Sequence, residues 1–98
     1  MYHMDHLLTL LTIEQAQELR FRAGSPPLIV SEDEQHSLQG PPITGEDVVW
    51  LLRTLATSRQ MRDLRWSGEV RFIYTARGRR PFLVRAKMDD ENILFDVS

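Results

Sequence analysis

Apolar residues recur along this chain with two distinct periods. Leu7, Leu8, Leu11 and Ala16 follow helical spacing and predict a first helix over residues 5–17. The alternative is a helix ending at Leu11, followed by a turn in which Thr12 caps through its spacing to Gln15. From Leu19 the period becomes two. Leu19 and Phe21 alternate with Glu18, Arg20 and Arg22, as in a half-buried strand that stops at Gly24-Ser25-Pro26-Pro27. Residues 28–31 predict a second strand, Glu32-Asp33-Glu34 an acidic turn, and residues 35–38 a short return strand before Gly40-Pro41-Pro42 breaks regular structure.

Helical spacing then resumes. Thr44 has the place of an N-cap accepting the Asp47 amide, and Ile43 that of a hydrophobic staple on Val48. Val48, Leu51, Leu52 and Leu55 form the inward stripe of a helix to about Ala56, which leaves Trp50 and Arg53 toward water. Ser58 is expected to cap a shorter helix with Met61 and Leu64 inward, ended by Ser67-Gly68. The last third alternates again. Val70, Phe72 and Tyr74 oppose Arg71 and Ile73, Arg77-Gly78-Arg79 turns, Phe82, Val84 and Ala86 alternate with Leu83, Arg85 and Lys87, and Ile93, Phe95 and Val97 mark a final strand. The predicted fold is a single α+β domain over residues 1–98, with helices on one face of a mostly antiparallel sheet.

Length and composition narrow the function. At 98 residues, with no G-x-x-x-x-G-K-[ST] string, the chain lacks room and motif for a nucleotide-hydrolysing core. Without cysteine it has no disulfide, thiolate nucleophile or cysteine-based metal site. No apolar run reaches the ~20 residues of a membrane helix and the first residues are not a signal peptide, so direct membrane insertion is not expected and the cytoplasm is the expected compartment.

The net charge of -2 conceals a polarity. Residues 1–49 carry Arg20 and Arg22 against eight acids, whereas residues 50–98 carry nine arginines and Lys87 against six. Arginine in place of lysine suits bidentate contacts to carboxylate or phosphate, although codon usage in a GC-rich genome gives the same bias.

The strings themselves resemble a family. Ala16-Gln17-Glu18-Leu19-Arg20-Phe21-Arg22-Ala23-Gly24-Ser25-Pro26-Pro27 resembles the A-S-D-L-H-L-x-A-G-x-P-P segment of type IV pilus retraction and assembly ATPases and their type II secretion relatives. Pro41-Pro42-Ile43-Thr44-Gly45-Glu46-Asp47-Val48 is similar to the family's P-P-L-T-x-E-x-V helix entry. Glu69-Val70-Arg71-Phe72-Ile73-Tyr74 and Gly78-Arg79-Arg80-Pro81-Phe82 are similar to its later strands. The resemblance runs in order over residues 5–97 and implies the PAS-like N-terminal domain. That domain precedes the catalytic core and packs against the core of an adjacent subunit, so the resemblance implies an accessory domain rather than a motor. There are departures. Gln17-Glu18 replaces Ser-Asp, Arg20 replaces histidine, Ser31-Glu32-Asp33 lacks the turn glycine, and Asp96 stands where the family places an arginine near bound nucleotide.

No catalytic residues are assigned. His3 and His6 form a pair at the terminus and His36 lies in a hairpin, which favours solvated side chains over metal ligands; no metal or cofactor is expected. The acidic turns lack the ligand alternation and central glycine of a calcium loop, and the serines lack a G-x-S-x-G context, so an enzyme is not expected.

A protein partner is expected, either another copy of the chain or an ATPase core domain. Its candidate contacts are Trp50 and Arg53, with Trp66 as a further anchor or as filler of the helix-to-strand junction. A patch of Arg71, Arg79, Arg80 and Arg85 is expected to meet an acidic surface such as Glu32 and Asp33 of a second copy. The alternative is an anionic ligand, a nucleotide or second messenger, or nucleic acid. Nucleic acid is disfavoured by the acidic net charge and by aromatics that alternate away from most of the arginines.

Overall fold

A computed structural model describes residues 2–98. The elements follow the predicted order: α1 (Met4–Ile13), β1 (Glu18–Phe21), β2 (Leu28–Val30), β3 (Gln35–Ser37), α2 (Gly45–Arg53), α3 (Ser58–Ser67), β4 (Glu69–Tyr74), β5 (Phe82–Asp89) and β6 (Asn92–Val97). The six strands form one sheet in the order β3-β2-β1-β6-β5-β4, and every neighbouring pair is antiparallel. This is an α+β fold. The chain lays down one edge first, inserts two helices, and returns with a meander whose last strand docks on β1.

One sheet face and the inner stripes of all three helices share a single apolar cluster. Leu19 pairs with Val97 and Phe21 with Phe95, whose rings stack with centroids 4.3 Å apart. Leu8, Leu11, Val48, Leu52 and Leu64 bring the helices onto that face, and all are fully buried. No charged or polar residue is buried among the described residues. Since helices cover one face only, the other is left to its strand side chains.

Local chemistry sets the helix ends, with two departures from expectation. Asp47 N donates to Thr44 Oγ1 (3.1 Å), the expected N-cap, and Thr44 N donates to Asp47 Oδ2 (2.9 Å), which extends the cap to a capping box. In α3 the cap is Thr57, one residue before the expected Ser58, because Gln60 reciprocates: Gln60 N donates to Thr57 Oγ1 and Thr57 N to Gln60 Oε1.

The end of α1 matches neither expectation. Thr12 does not cap, because its hydroxyl donates back to Leu8 O (3.1 Å). The helix ends at Ile13 with Gln15 at φ 53, Gln15 N bonding Thr12 O and Ala16 N bonding Leu11 O, a Schellman closure with glutamine in the position glycine usually takes. Buried Ala16 supplies the accompanying apolar residue.

Candidate interaction surfaces

The uncovered sheet face carries an ordered row of charged side chains. Register aligns one cross-strand row: Leu28, Arg20, Asp96, Arg85 and Arg71, one residue from each of β2, β1, β6, β5 and β4. Strand alternation turns all five away from the core, because Leu19, Phe95, Val84 and Phe72 point into it. Three arginines therefore share one row with a single aspartate. Arg71 and Arg85 are direct cross-strand partners, a like-charge juxtaposition that destabilises a sheet.

Neighbouring acids neutralise part of this row. Glu18 bridges two arginines: Oε1 accepts from Arg20 Nη2 (2.8 Å) and Nε (3.0 Å), and Oε2 from Arg85 Nη2 (3.2 Å). Arg22 lies 3.0 Å from Asp96 Oδ1 through Nη2, a close charge contact without good hydrogen-bond alignment, while its Nη1 donates to the carbonyls of Phe21 and Phe95. Asp96 is thus held by the arginine that follows β1. Arg71 and Lys87 have no ion-pair partner among the described residues. Together these groups line a shallow depression of about 540 Å³. Beside it Ile73, on the same strand face as Arg71, is 59% exposed. A row ending in an unpaired arginine next to an exposed aliphatic side chain suits a protein surface that brings a carboxylate and an apolar contact.

The expected arginine patch is divided by the fold. Arg71 and Arg85 lie on the open face, but Arg79 and Arg80 belong to the β4–β5 connection. Arg79 Nη2 donates to Asp5 O (3.0 Å) and to Thr9 Oγ1 (2.8 Å), tethering the connection to α1. Arg80 lies over the Phe82 ring at 4.4 Å and donates to Pro81 O. Four arginines expected in one patch thus serve two places, because a connection redirects side chains in a way that strand alternation cannot predict.

Trp50 is 51% exposed on α2 and forms, with Tyr2, Pro41 and Pro42, the rim of a small apolar groove. Tyr2 Oη donates to Pro41 O at 2.7 Å, and Gly40, at φ 138, leaves no room for a Cβ beside that hydroxyl. Arg53 faces another depression, shared with Arg62 and Arg65 of α3. Trp66 does not fill the helix-to-strand junction; it is 92% exposed, because two residues past inward Leu64 is the far side of a helix. Glu32 and Asp33 are exposed at the β2–β3 turn, which Ser31 N closes on Glu34 O. Sequence reasoning missed Glu18, Arg20 and Arg22 as part of the surface, although their alternation with Leu19 and Phe21 already turned them outward.

Among the described residues no cluster of three or more His, Cys, Asp or Glu could hold a metal ion, and no helix is long and apolar enough to cross a membrane.

No known family model matches the chain, and neither does any curated protein. Solved structures do match. The fold superposes on the pilus retraction motor PilT, solved with bound ADP, with a TM-score of 0.83 at 18% identity, covering 99% of this chain and 28% of PilT. It also superposes on the Legionella pneumophila ATPase DotB with a TM-score of 0.73 at 13% identity, covering 96% of this chain and 27% of DotB. The likeness is one of fold. The chain spans just over a quarter of each ATPase, in keeping with the N-terminal domain that its sequence resemblance implied.

Proposed function

We propose that the chain is a non-catalytic assembly domain of pilus- or secretion-ATPase-type machinery, docking by its open sheet face on an acidic surface of an ATPase core. The observation that carries this reading is the superposition of nearly the whole chain on a minor part of two ATPases, a part too short to include the rest of either motor. Surface chemistry supports it. Arg71 and Arg85 present like charges that a partner carboxylate would relieve, and Ile73 offers an apolar contact beside them.

Capture of a small anion at the same face is the weaker reading. The depression also contains Glu18, Glu69 and Asp96, which repel phosphate yet fit a protein surface of mixed charge. The test is a binding titration of the chain against a separately purified ATPase core of the same machinery, with ATP hydrolysis followed for the chain alone. A salt-sensitive complex lost on Arg71→Glu/Arg85→Glu, with no hydrolysis by the chain, is the expected result. Hydrolysis above background by the chain would sink the non-catalytic assignment.

A further inference from the structure

We infer that the outer face of α3 is a docking surface for the acidic β2–β3 turn of a second copy of this chain. The inference rests on reading the chain as an assembly domain but uses a surface separate from the open sheet face. Its receptor half is Arg53, Arg62 and Arg65 around a depression of about 540 Å³ whose lining contains no carboxylate. None of the three has an ion-pair partner among the described residues. Trp66 stands one helical turn beyond Arg62, with 92% of its surface exposed, on a helix whose own core contribution is Met61 and Leu64. An almost fully exposed indole beside arginines without ion-pair partners has the composition of an interface hot spot, and neither group contributes to the buried core.

The occupant follows from charge and position. Glu32, Asp33 and Glu34 are three consecutive exposed acids, and none forms an ion pair among the described residues. They lie beside β3 at one edge of the sheet, whereas α3 packs on β4 at the other. One molecule cannot close this contact on itself, so complementary charges at opposite edges lead to head-to-tail association. An extended polyanion fits less well. Arg65 also borders a depression lined by Glu46, Asp90 and Glu91, so the basic surface is bounded by acids and accommodates a short acidic turn rather than a phosphate backbone.

The test is sedimentation equilibrium of the full chain at low and high salt, with two charge variants. Arg62→Glu/Arg65→Glu makes both surfaces acidic, and Glu32→Lys/Asp33→Lys makes both basic. The wild type is expected to gain mass with concentration at low salt and lose it at high salt. Each variant alone should remain monomeric, while their equimolar mixture should recover the mass because each surface then meets its opposite. Trp66→Ala, which removes no core contact, should weaken association at least tenfold, and in a Trp50→Phe background the Trp66 emission should shift to the blue as the wild-type surfaces associate. A wild type that stays monomeric at low salt and high concentration overturns the inference, as does association that both charge variants retain. Either failure leaves docking on an ATPase core intact, since that contact depends on Arg71 and Arg85. Conversely, loss of core binding leaves the self-association result standing.

Discussion

Arg71 and Arg85 stand directly opposite one another on β4 and β5, two positive charges where adjacent strands ordinarily place neutral or complementary partners. Glu18 reaches Arg85 but not Arg71. The open face therefore keeps an electrostatic conflict at its edge, which a partner surface would resolve.

Stability and binding should respond in opposite directions at this pair. Arg71→Glu converts the conflict into a complementary pair, so the isolated chain should gain about 0.2–1 kcal/mol, a rise of roughly 1 to 8 °C in Tm for a domain of this size. Affinity for the core should fall at the same time. Thermal unfolding and a binding titration on one sample check both signs, and a variant that is both less stable and fully binding would remove Arg71 from the interface.

Arg79 should behave as a structural residue. Its guanidinium joins the β4–β5 connection to Asp5 O and Thr9 Oγ1 at a partly exposed site, so Arg79→Ala should cost about 1 kcal/mol after allowance for solvent. Core binding by the folded variant should be unchanged. Denaturant unfolding separates this from a binding role, in which stability would hold and affinity would drop.

Gln15 is a site of relievable strain. Its φ of 53 is left-handed, which costs a residue with a side chain roughly 1–2 kcal/mol. Glycine avoids that cost while adding about 0.5–1 kcal/mol of unfolded-chain entropy. Gln15→Gly should thus raise stability by on the order of 0.5 kcal/mol, whereas Gln15→Val should lower it. Equal stability of the two variants in urea would contradict the Schellman closure.

The start of α3 can be located by mutation. Thr57→Ala removes the acceptor for Gln60 N and should cost about 1 kcal/mol. Ser58→Ala should cost little. Amide exchange in the first turn of α3 should accelerate only in the former, and the reverse pattern would restore Ser58 as the cap.

The element order was legible because most segments have a clean period: Leu19 and Phe21 against Glu18 and Arg20, Val48, Leu51 and Leu52 on one helix face, Phe82, Val84 and Ala86 along a strand. Thr44 and Asp47 were readable because a capping box is local chemistry. The Thr57 cap is local too, yet Thr57 and Ser58 are both good caps, and Gln60 decides between them through its spacing to Thr57. The α1 terminus was hidden because Gln15 carries no glycine signal for a left-handed residue. The arginine surface was only half legible. Alternation showed which arginines point outward, but the union of Arg20, Arg85 and Arg71 in one row depends on β6 inserting between β1 and β5, a pairing between residues more than 60 positions apart in sequence. Arg79 left the patch because it lies in a connection, where no period applies.

Docking of this chain on an ATPase core through the open sheet face can be measured by isothermal titration of the wild-type chain and the Arg71→Glu/Arg85→Glu variant into the purified core at low and high salt. The wild type should form a defined stoichiometric complex that weakens as salt screens the contact, and the folded variant should lose at least tenfold in affinity. No heat and no co-sedimentation of the folded wild-type chain with the core at low salt would contradict it.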